Sequence, residues 1–373
     1  MEIKLAVLPG DGIGAEVIAA AMRVLEHVAT TFGHVIRAEY GDIGWAAIDK
    51  GHTSPLPAET KALGARSEAI FFGAVGLPER DKALPLQQRP ERVALLELRK
   101  GLFVNLRHVV LPKNLGHLCP LKPALIEKGI DIMIVRELTG GLYYGQPQGI
   151  TGAAPNRRAV DTMAYSELEI RRILQVGFEM ARKRRRRLAS VDKANILATS
   201  TLWRELAVAM GKEYPDVRLE HLYVDNATIQ LLRRPSEFDV IVTENTFGDI
   251  LSDEASMLAG SIGLVPSASL GDEFLLTLDA RAKGGAGGPR ATPFYEPIHG
   301  SAPDIAGRDA ANPIATILTA AMMLRYTFNL RKEADAIDGA CYAVLNEGKV
   351  LTGDLGGKAK CSEVAAAVMG KMG

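Results

Sequence analysis

Apolar positions along this chain follow two alternating periods. Residues 3–8, apolar but for Lys4, read as a buried strand. The turn Gly10-Asp11-Gly12-Ile13-Gly14 comes next, and then Ile13, Val17, Ala21, Val24, Leu25 and Val28 recur at the spacing of a buried helix face. A strand, a tight turn and a helix in that order open an α/β unit. Residues 69–75, 130–135, 219–224 and 238–243 repeat the strand pattern, and 166–185 and 200–212 read as amphipathic helices between them. The pattern predicts an α/β fold and leaves the strand order open. No repeat of fixed period runs through it. Residues 282–293 hold four glycines, two prolines and almost no bulky apolar residue, and read as a mobile surface loop.

A length of 373 residues allows one large domain or two lobes with separate cores. Lys plus Arg equals Asp plus Glu at 44 each, so no general attraction to nucleic acid or anionic membrane is expected. The basic run 182–187 lies near the end of a predicted helix and reads as a solvated, dipole-compensating face. The longest apolar stretch, 314–324, is interrupted by Thr316 and Thr319 and falls well short of the roughly 20 residues that span a bilayer. The chain opens on Met1-Glu2-Ile3-Lys4 with no basic region leading into an apolar one, and a secretory signal is not expected. Cys119, Cys341 and Cys361 are few, odd in number and not at metal-ligand spacing, which suits a reducing compartment. The cytoplasm is the expected location.

Gly10-x-Gly12-x-x-Ala15 matches a relaxed dinucleotide-binding fingerprint. That motif requires an acidic residue roughly 20 positions on, at the end of a second strand. Glu39 and Asp42 lie too far along, and no apolar strand is evident before either. A tight turn with positive φ at its glycines explains the pattern equally well.

Stronger chemistry lies in residues 246–254. Asp249 and Asp253 stand at i and i+4 and share one helix face. The flanking Ile250, Leu251 and Met257 suggest partial burial, which raises a carboxylate pKa unless a cation offsets it. Hard oxygen ligands suit Mg²⁺ or Mn²⁺. Asp225 follows a predicted strand and taken alone reads as a helix N-cap. Arg99, Arg107 and Arg136 sit at or near strand ends, and converging guanidinium groups suit a dicarboxylate, though each alone suits a structural ion pair. Tyr143 follows Thr139-Gly140-Gly141, where glycines let the backbone approach a ligand. Lys193 would serve as a base if buried.

Taken together, these pieces resemble the β-decarboxylating dehydrogenases of the isocitrate/isopropylmalate type. The resemblance runs from Leu8-Pro9-Gly10-Asp11-Gly12-Ile13-Gly14 through Arg89-Pro90-Glu91-Arg92 and Val135-Arg136-Glu137-Leu138-Thr139-Gly140-Gly141. It continues through Val191-Asp192-Lys193-Ala194-Asn195 and the Asp249/Asp253 segment to Thr352-Gly353-Asp354-Leu355-Gly356-Gly357. It implies a two-lobed α/β subunit that is not a Rossmann domain of the usual kind. Residues 1–103 with 260–373 would form the NAD-binding lobe, and 104–259 the dimerisation, metal and substrate lobe. It further implies a homodimer with shared active sites. Asp249 and Asp253 of one chain and Asp225 of the other would hold the metal, and Lys193 would also come from the partner.

By the same resemblance Arg99, Arg107 and Arg136 grip the carboxylates of a 2-hydroxy dicarboxylic acid. Glu91, Glu296, His299, Gly300, Ser301, Ala302, Pro303, Asp304 and Asn312 would contact NAD, with Asp304 disfavouring the 2′-phosphate of NADP. Lys193 would take the hydroxyl proton, and Tyr143, aided by a nearby ammonium, would return a proton after CO₂ leaves. Leu95 and Leu96 match the positions that meet an isopropyl group, whereas isocitrate-using relatives carry serine and asparagine on this helix. The implied reaction is oxidative decarboxylation of 3-isopropylmalate to 4-methyl-2-oxopentanoate, a step of leucine biosynthesis. D-malate or tartrate oxidation, and a catalytically inactive regulatory or binding role, are the alternatives. Two departures stand out. The 8-residue interval from Arg99 to Arg107 is shorter than the family's, which puts one arginine in question, and the segment 271–294 is longer and reads as a surface insertion.

Overall fold

The computed structural model describes residues 1–278 and 291–372. Twelve strands occur among them: β1 (Glu2–Gly10), β2 (Val35–Tyr40), β3 (Ala69–Ala74), β4 (Val104–Val110), β5 (Asp131–Glu137), β6 (Gly149–Thr151), β7 (Arg158–Val160), β8 (Arg187–Asp192), β9 (Arg218–Tyr223), β10 (Val240–Thr243), β11 (Pro266–Leu270) and β12 (Phe294–Pro297). Ten of them form one sheet in the order β2-β1-β3-β12-β11-β4-β5-β10-β8-β9, and β6 and β7 make a separate hairpin. The flanks are parallel, but β12, β11, β4 and β5 run antiparallel to one another in sequence across the middle. This mixed order is not that of a Rossmann domain. Strands from residues 2–74 and 266–297 occupy one half, and those from 104–243 the other.

Helices cover the sheet because their apolar stripes need the strands' buried faces. The Gly14–Thr31 helix buries Val17, Ala21, Val24, Leu25 and Val28, the positions that the sequence period predicts. Ile314–Tyr326 is buried almost all round, with Thr316 and Thr319 inside the core, and no described helix is long and apolar enough to cross a membrane. Glu167–Arg182 begins at a reciprocal capping box between Ser166 and Glu169. The three cysteines are buried and free.

The glycine turn after β1 faces its own chain. Asp11 N donates to Ala74 O at 2.8 Å, and Ile13 N donates to Ser301 O at 2.7 Å. Gly12 has φ +57°, and a Cβ there would lie 1.9 Å from Ser301 O. The space a pyrophosphate would need is filled by backbone. A second strand is nonetheless present, although no apolar run announces it: β2 pairs parallel to β1 and contains Glu39. As an exposed edge strand it needs no apolar outer positions; Glu39 is paired with Arg66 at 2.6 Å. Gly12→Ala is expected to lose about 3 kcal/mol, combining a left-handed backbone with an unavoidable clash. Gly33→Ala, at φ +75° with open space around it, should lose only about 1 kcal/mol. Urea melts of the two variants side by side check this.

The basic run is in part a solvated face, as expected, with Lys183, Arg186 and Arg187 exposed, and in part structural. Arg182 pairs with Asp216 and Glu179, while Arg184 and Arg185 converge on Asp239, which is fully buried. Within 271–294, residues Asp272–Leu278 form a helix that buries Phe274 and Leu275. The glycine-rich remainder lies largely outside the described residues.

Candidate active site

Register on the central strands brings two arginines together. β4 and β5 pair antiparallel with Arg107 opposite Ile134 and Asn105 opposite Arg136. Arg107 and Arg136 therefore stand on one face of adjacent strands, two positions out of step. Both reach the Asn245–Leu258 helix. Arg107 donates through Nη2 to Asp249 Oδ1 and through Nη1 to Asp253 Oδ1, both at 3.1 Å. Arg136 Nη1 donates to the same Asp249 oxygen. Asn105 Oδ1 at 3.1 Å and Ser252 Oγ at 2.5 Å hold the Arg107 guanidinium from behind. These two supports are invisible in the sequence, because a lone Asn on a strand and a lone Ser on a helix carry no motif.

Asp249 and Asp253 share a helix face as expected, but only Leu251 of the three expected neighbours is buried. Ile250 and Met257 are more than half exposed, because they point away from the sheet. The surroundings of Asp249 are cationic instead. Burial raises its carboxyl, but Arg136 and then Arg107 outweigh that and hold it below the usual range. Asp253 goes the other way, raised by burial against Arg107, with Asp249 adding to the rise. Arg136 is itself pulled down to about 10 by burial and by Arg107.

Tyr143 ends a single helical turn, Gly141–Tyr143, and its hydroxyl donates to Asp249 Oδ2 at 3.0 Å. Burial and then Asp249 push the phenol up to about 12. The neighbour expected from the sequence is an ammonium; within one chain it is this carboxylate. Lys193 is partly exposed rather than buried, and its Nζ lies 2.6 Å from Asp225 Oδ1. Asp225 sits in the first turn of the Val224–Arg233 helix, whose cap is Tyr223, so it is not the N-cap. Lys193 holds its carboxyl below the ordinary range. Among the described residues of one chain, no three His, Cys, Asp or Glu side chains come together as a metal site.

A cleft of about 160 Å³ opens beside the arginines. Arg99, Arg107, Glu91 and Leu95 line it together with Glu296, Pro297, Ile298, His299 and Gly300. Arg99 Nη2 donates to Glu296 Oε1 at 2.5 Å, while its buried Nε has no partner. The short interval before Arg107 thus leaves both arginines on this cleft. Leu102 and Phe103 are buried, and the chain turns tightly at Gly101, where φ is +86°. Leu96 is not among the lining residues. His299 Nδ1 donates to Gly300 O at 3.0 Å, its buried Nε2 is unpartnered, and burial lowers its pKa.

Other residues expected at the cofactor are engaged elsewhere or lie outside. Ser301 Oγ donates to Gly76 O at 2.5 Å. Asn312 Nδ2 donates to Asp354 Oδ2 and its Oδ1 accepts from Ile314 N, both at 3.0 Å. Ala302 takes φ +35°, and Pro303 and Asp304 are exposed beyond it.

Comparison with known proteins decides what this geometry belongs to. The sequence profile of the isocitrate/isopropylmalate dehydrogenases matches residues 4–368. The chain belongs to the isocitrate/isopropylmalate dehydrogenase family. A 3-isopropylmalate dehydrogenase of Geobacillus kaustophilus is 52% identical over 94% of this chain and 90% of its own. One from Xylella fastidiosa strain Temecula1 is 53% identical over 93% and 92%. Among solved structures, isocitrate dehydrogenase from Methylococcus capsulatus superposes with a TM-score of 0.83 at 29% identity, covering 99% of both chains. The apo β-decarboxylating dehydrogenase of Thermococcus kodakarensis gives 0.74 at 35%, covering 99% of this chain and 96% of that one. Family membership makes the chain an oxidoreductase of the β-decarboxylating type.

Proposed function

We propose that this enzyme oxidises 3-isopropylmalate with NAD and a divalent metal and decarboxylates the product to 4-methyl-2-oxopentanoate. The observation that carries the reading is the convergence of Arg107 and Arg136 on Asp249, beside a cleft walled by Glu296, His299 and Gly300. Relatives that are more than half identical and named for this activity support it. Leu95 is one of the apolar groups that the cleft offers to a branched alkyl chain, with Val75 and Ile298 among the others.

The donor set fits the implied groups. Asp249 and Asp253 already converge on one cationic head, which is the geometry a hard cation requires of two carboxylates. Among the described residues one chain brings no third ligand to them, so Asp225 would come from a second copy. An exposed apolar row favours that copy: Ile229 and Leu232 follow Asp225 on its helix face, and Ile250 and Met257 flank Asp253. The buried, unpartnered His299 Nε2 fits a hydrogen-bonding cofactor.

When bound, NAD supplies the hydride acceptor and the metal polarises the hydroxyl and its neighbouring carboxylate. The chain's own groups do the rest. Arg107 and Arg136, fixed from behind, present N–H forks to the substrate's carboxylates. Lys193 of the partner subunit takes the hydroxyl proton, and Tyr143 returns a proton to the carbon that CO₂ leaves. Release of Asp249 from the arginines to the metal would free both guanidinium groups for substrate. The reaction needs no membrane or nucleic acid, and a cytoplasmic homodimer is the setting proposed.

NADH formation with Mg²⁺ or Mn²⁺ tests the reading across 3-isopropylmalate, D-malate, tartrate and isocitrate, each with NAD and NADP and an EDTA control. Metal-dependent turnover should favour 3-isopropylmalate with NAD. Since each methylene contributes about 1–3 kcal/mol, its specificity constant should exceed that of D-malate by at least about tenfold. A higher value for an unbranched acid would overturn the substrate assignment, and absence of turnover would overturn the enzyme reading.

A further inference from the structure

Asn245 is the first residue of the helix that carries Asp249 and Asp253, and it is fully buried. Its side-chain amide is in full use. Nδ2 donates to Leu138 O and to Gly140 O, each at 3.0 Å, and Oδ1 accepts from Arg136 Nε at 2.9 Å. The two carbonyls belong to the turn that delivers Tyr143, and the third partner is a guanidinium aimed at Asp249. The residue cannot drift to follow either one. Its backbone N–H donates to Tyr165 Oη at 3.1 Å, and Glu244 accepts from the next two backbone N–H groups.

An arginine pinned through Nε keeps its Nη pair in a single plane and direction, which a charge alone does not achieve. A turn tied by two carbonyls to the same amide keeps a constant distance from that plane. Resting on the proposed roles of Arg136 and Tyr143, we infer that Asn245 is a positioning residue that locks the Arg136 fork and the Tyr143 turn to the Asp249 helix. Substrate grip and proton return are then registered to the metal carboxylates by one buried amide. No ligand need touch it.

A double-mutant cycle in the full-length protein tests this, with 3-isopropylmalate, NAD and Mg²⁺. Asn245→Ala should raise KM about tenfold, and Arg136→Lys should raise it at least as much, in keeping with the sensitivity of rate to small misplacements. The double variant should exceed Arg136→Lys by no more than about twofold, because coupled residues do not add. The fall in kcat caused by Asn245→Ala should likewise shrink to within about twofold in a Tyr143→Phe background. A residue that merely supports the fold would lower the melting temperature and give independent, multiplying effects, and that result overturns the inference. Raised KM in Arg136→Lys with unchanged KM in Asn245→Ala also overturns it, but leaves the reading of Arg136 intact. Unchanged KM in Arg136→Lys overturns both. Should Asn245→Ala not fold, Asn245→Ser keeps a small polar group there, and the same cycle is read with it.

Discussion

Asp249→Asn is expected to lower kcat/KM by about a thousandfold or more, close to 4 kcal/mol of transition-state stabilisation. The amide is nearly isosteric, so packing around the helix stays as it is. Its charge is gone, and with it half of this chain's contribution to the metal. A second effect comes from the arginines. In the free chain Asp249 accepts from Arg107, Arg136 and Tyr143 together, and loss of its charge leaves two guanidinium groups facing each other. Removing one partner of a fully buried pair costs about 3–5 kcal/mol. Asp249 is about a third exposed, and solvent screening reduces the expected loss to about 1–2 kcal/mol. Calorimetric titration with Mn²⁺, turnover and a thermal melt on one preparation separate the effects. Turnover within tenfold of the unmodified enzyme would sink the assignment of Asp249 to the metal.

Tyr143→Phe should slow overall turnover by about 10²–10⁴-fold, the range of a lost general acid. The deficit should fall on the stage after oxidation. In the free chain burial and Asp249 push the phenol up to about 12, so it holds its proton throughout the neutral range. The variant keeps the ring and the oxidation machinery, so a first turnover of NADH should persist while product formation lags. Following NADH and CO₂ together checks this. CO₂ release that keeps pace with the unmodified enzyme would remove Tyr143 from the proton step.

Period and turn chemistry make most of the scaffold legible in the sequence. β1 and the Gly14–Thr31 helix are readable because one face of each must be buried, and burial writes itself as spacing. β2 is not, because an exposed edge strand has no face to fill. The shared face of Asp249 and Asp253 comes from i, i+4 spacing alone. Their surroundings do not. Ile250 and Met257 look like core residues in one dimension, and only the packed helix shows that they face outward. The meeting of Arg107 with Arg136 depends on strand register, and the pairing of Arg99 with Glu296 joins residues almost two hundred positions apart. No local pattern encodes either contact. Lys193 and Asp225 are recognisable by type, yet their pairing with each other in a single chain is a fact of three-dimensional packing.

The ten-stranded sheet passes without a break beneath the cleft, and residues 267–270 of β11 pair with 107–104 of β4 at that seam. The two halves are therefore joined by a stiff plate rather than a swivel. Any widening of the cleft must bend or shear that plate against its backbone hydrogen bonds, and a bent sheet pushes back. The resting aperture is thus set elastically, by the backbone pairing of the same strands whose side chains line it.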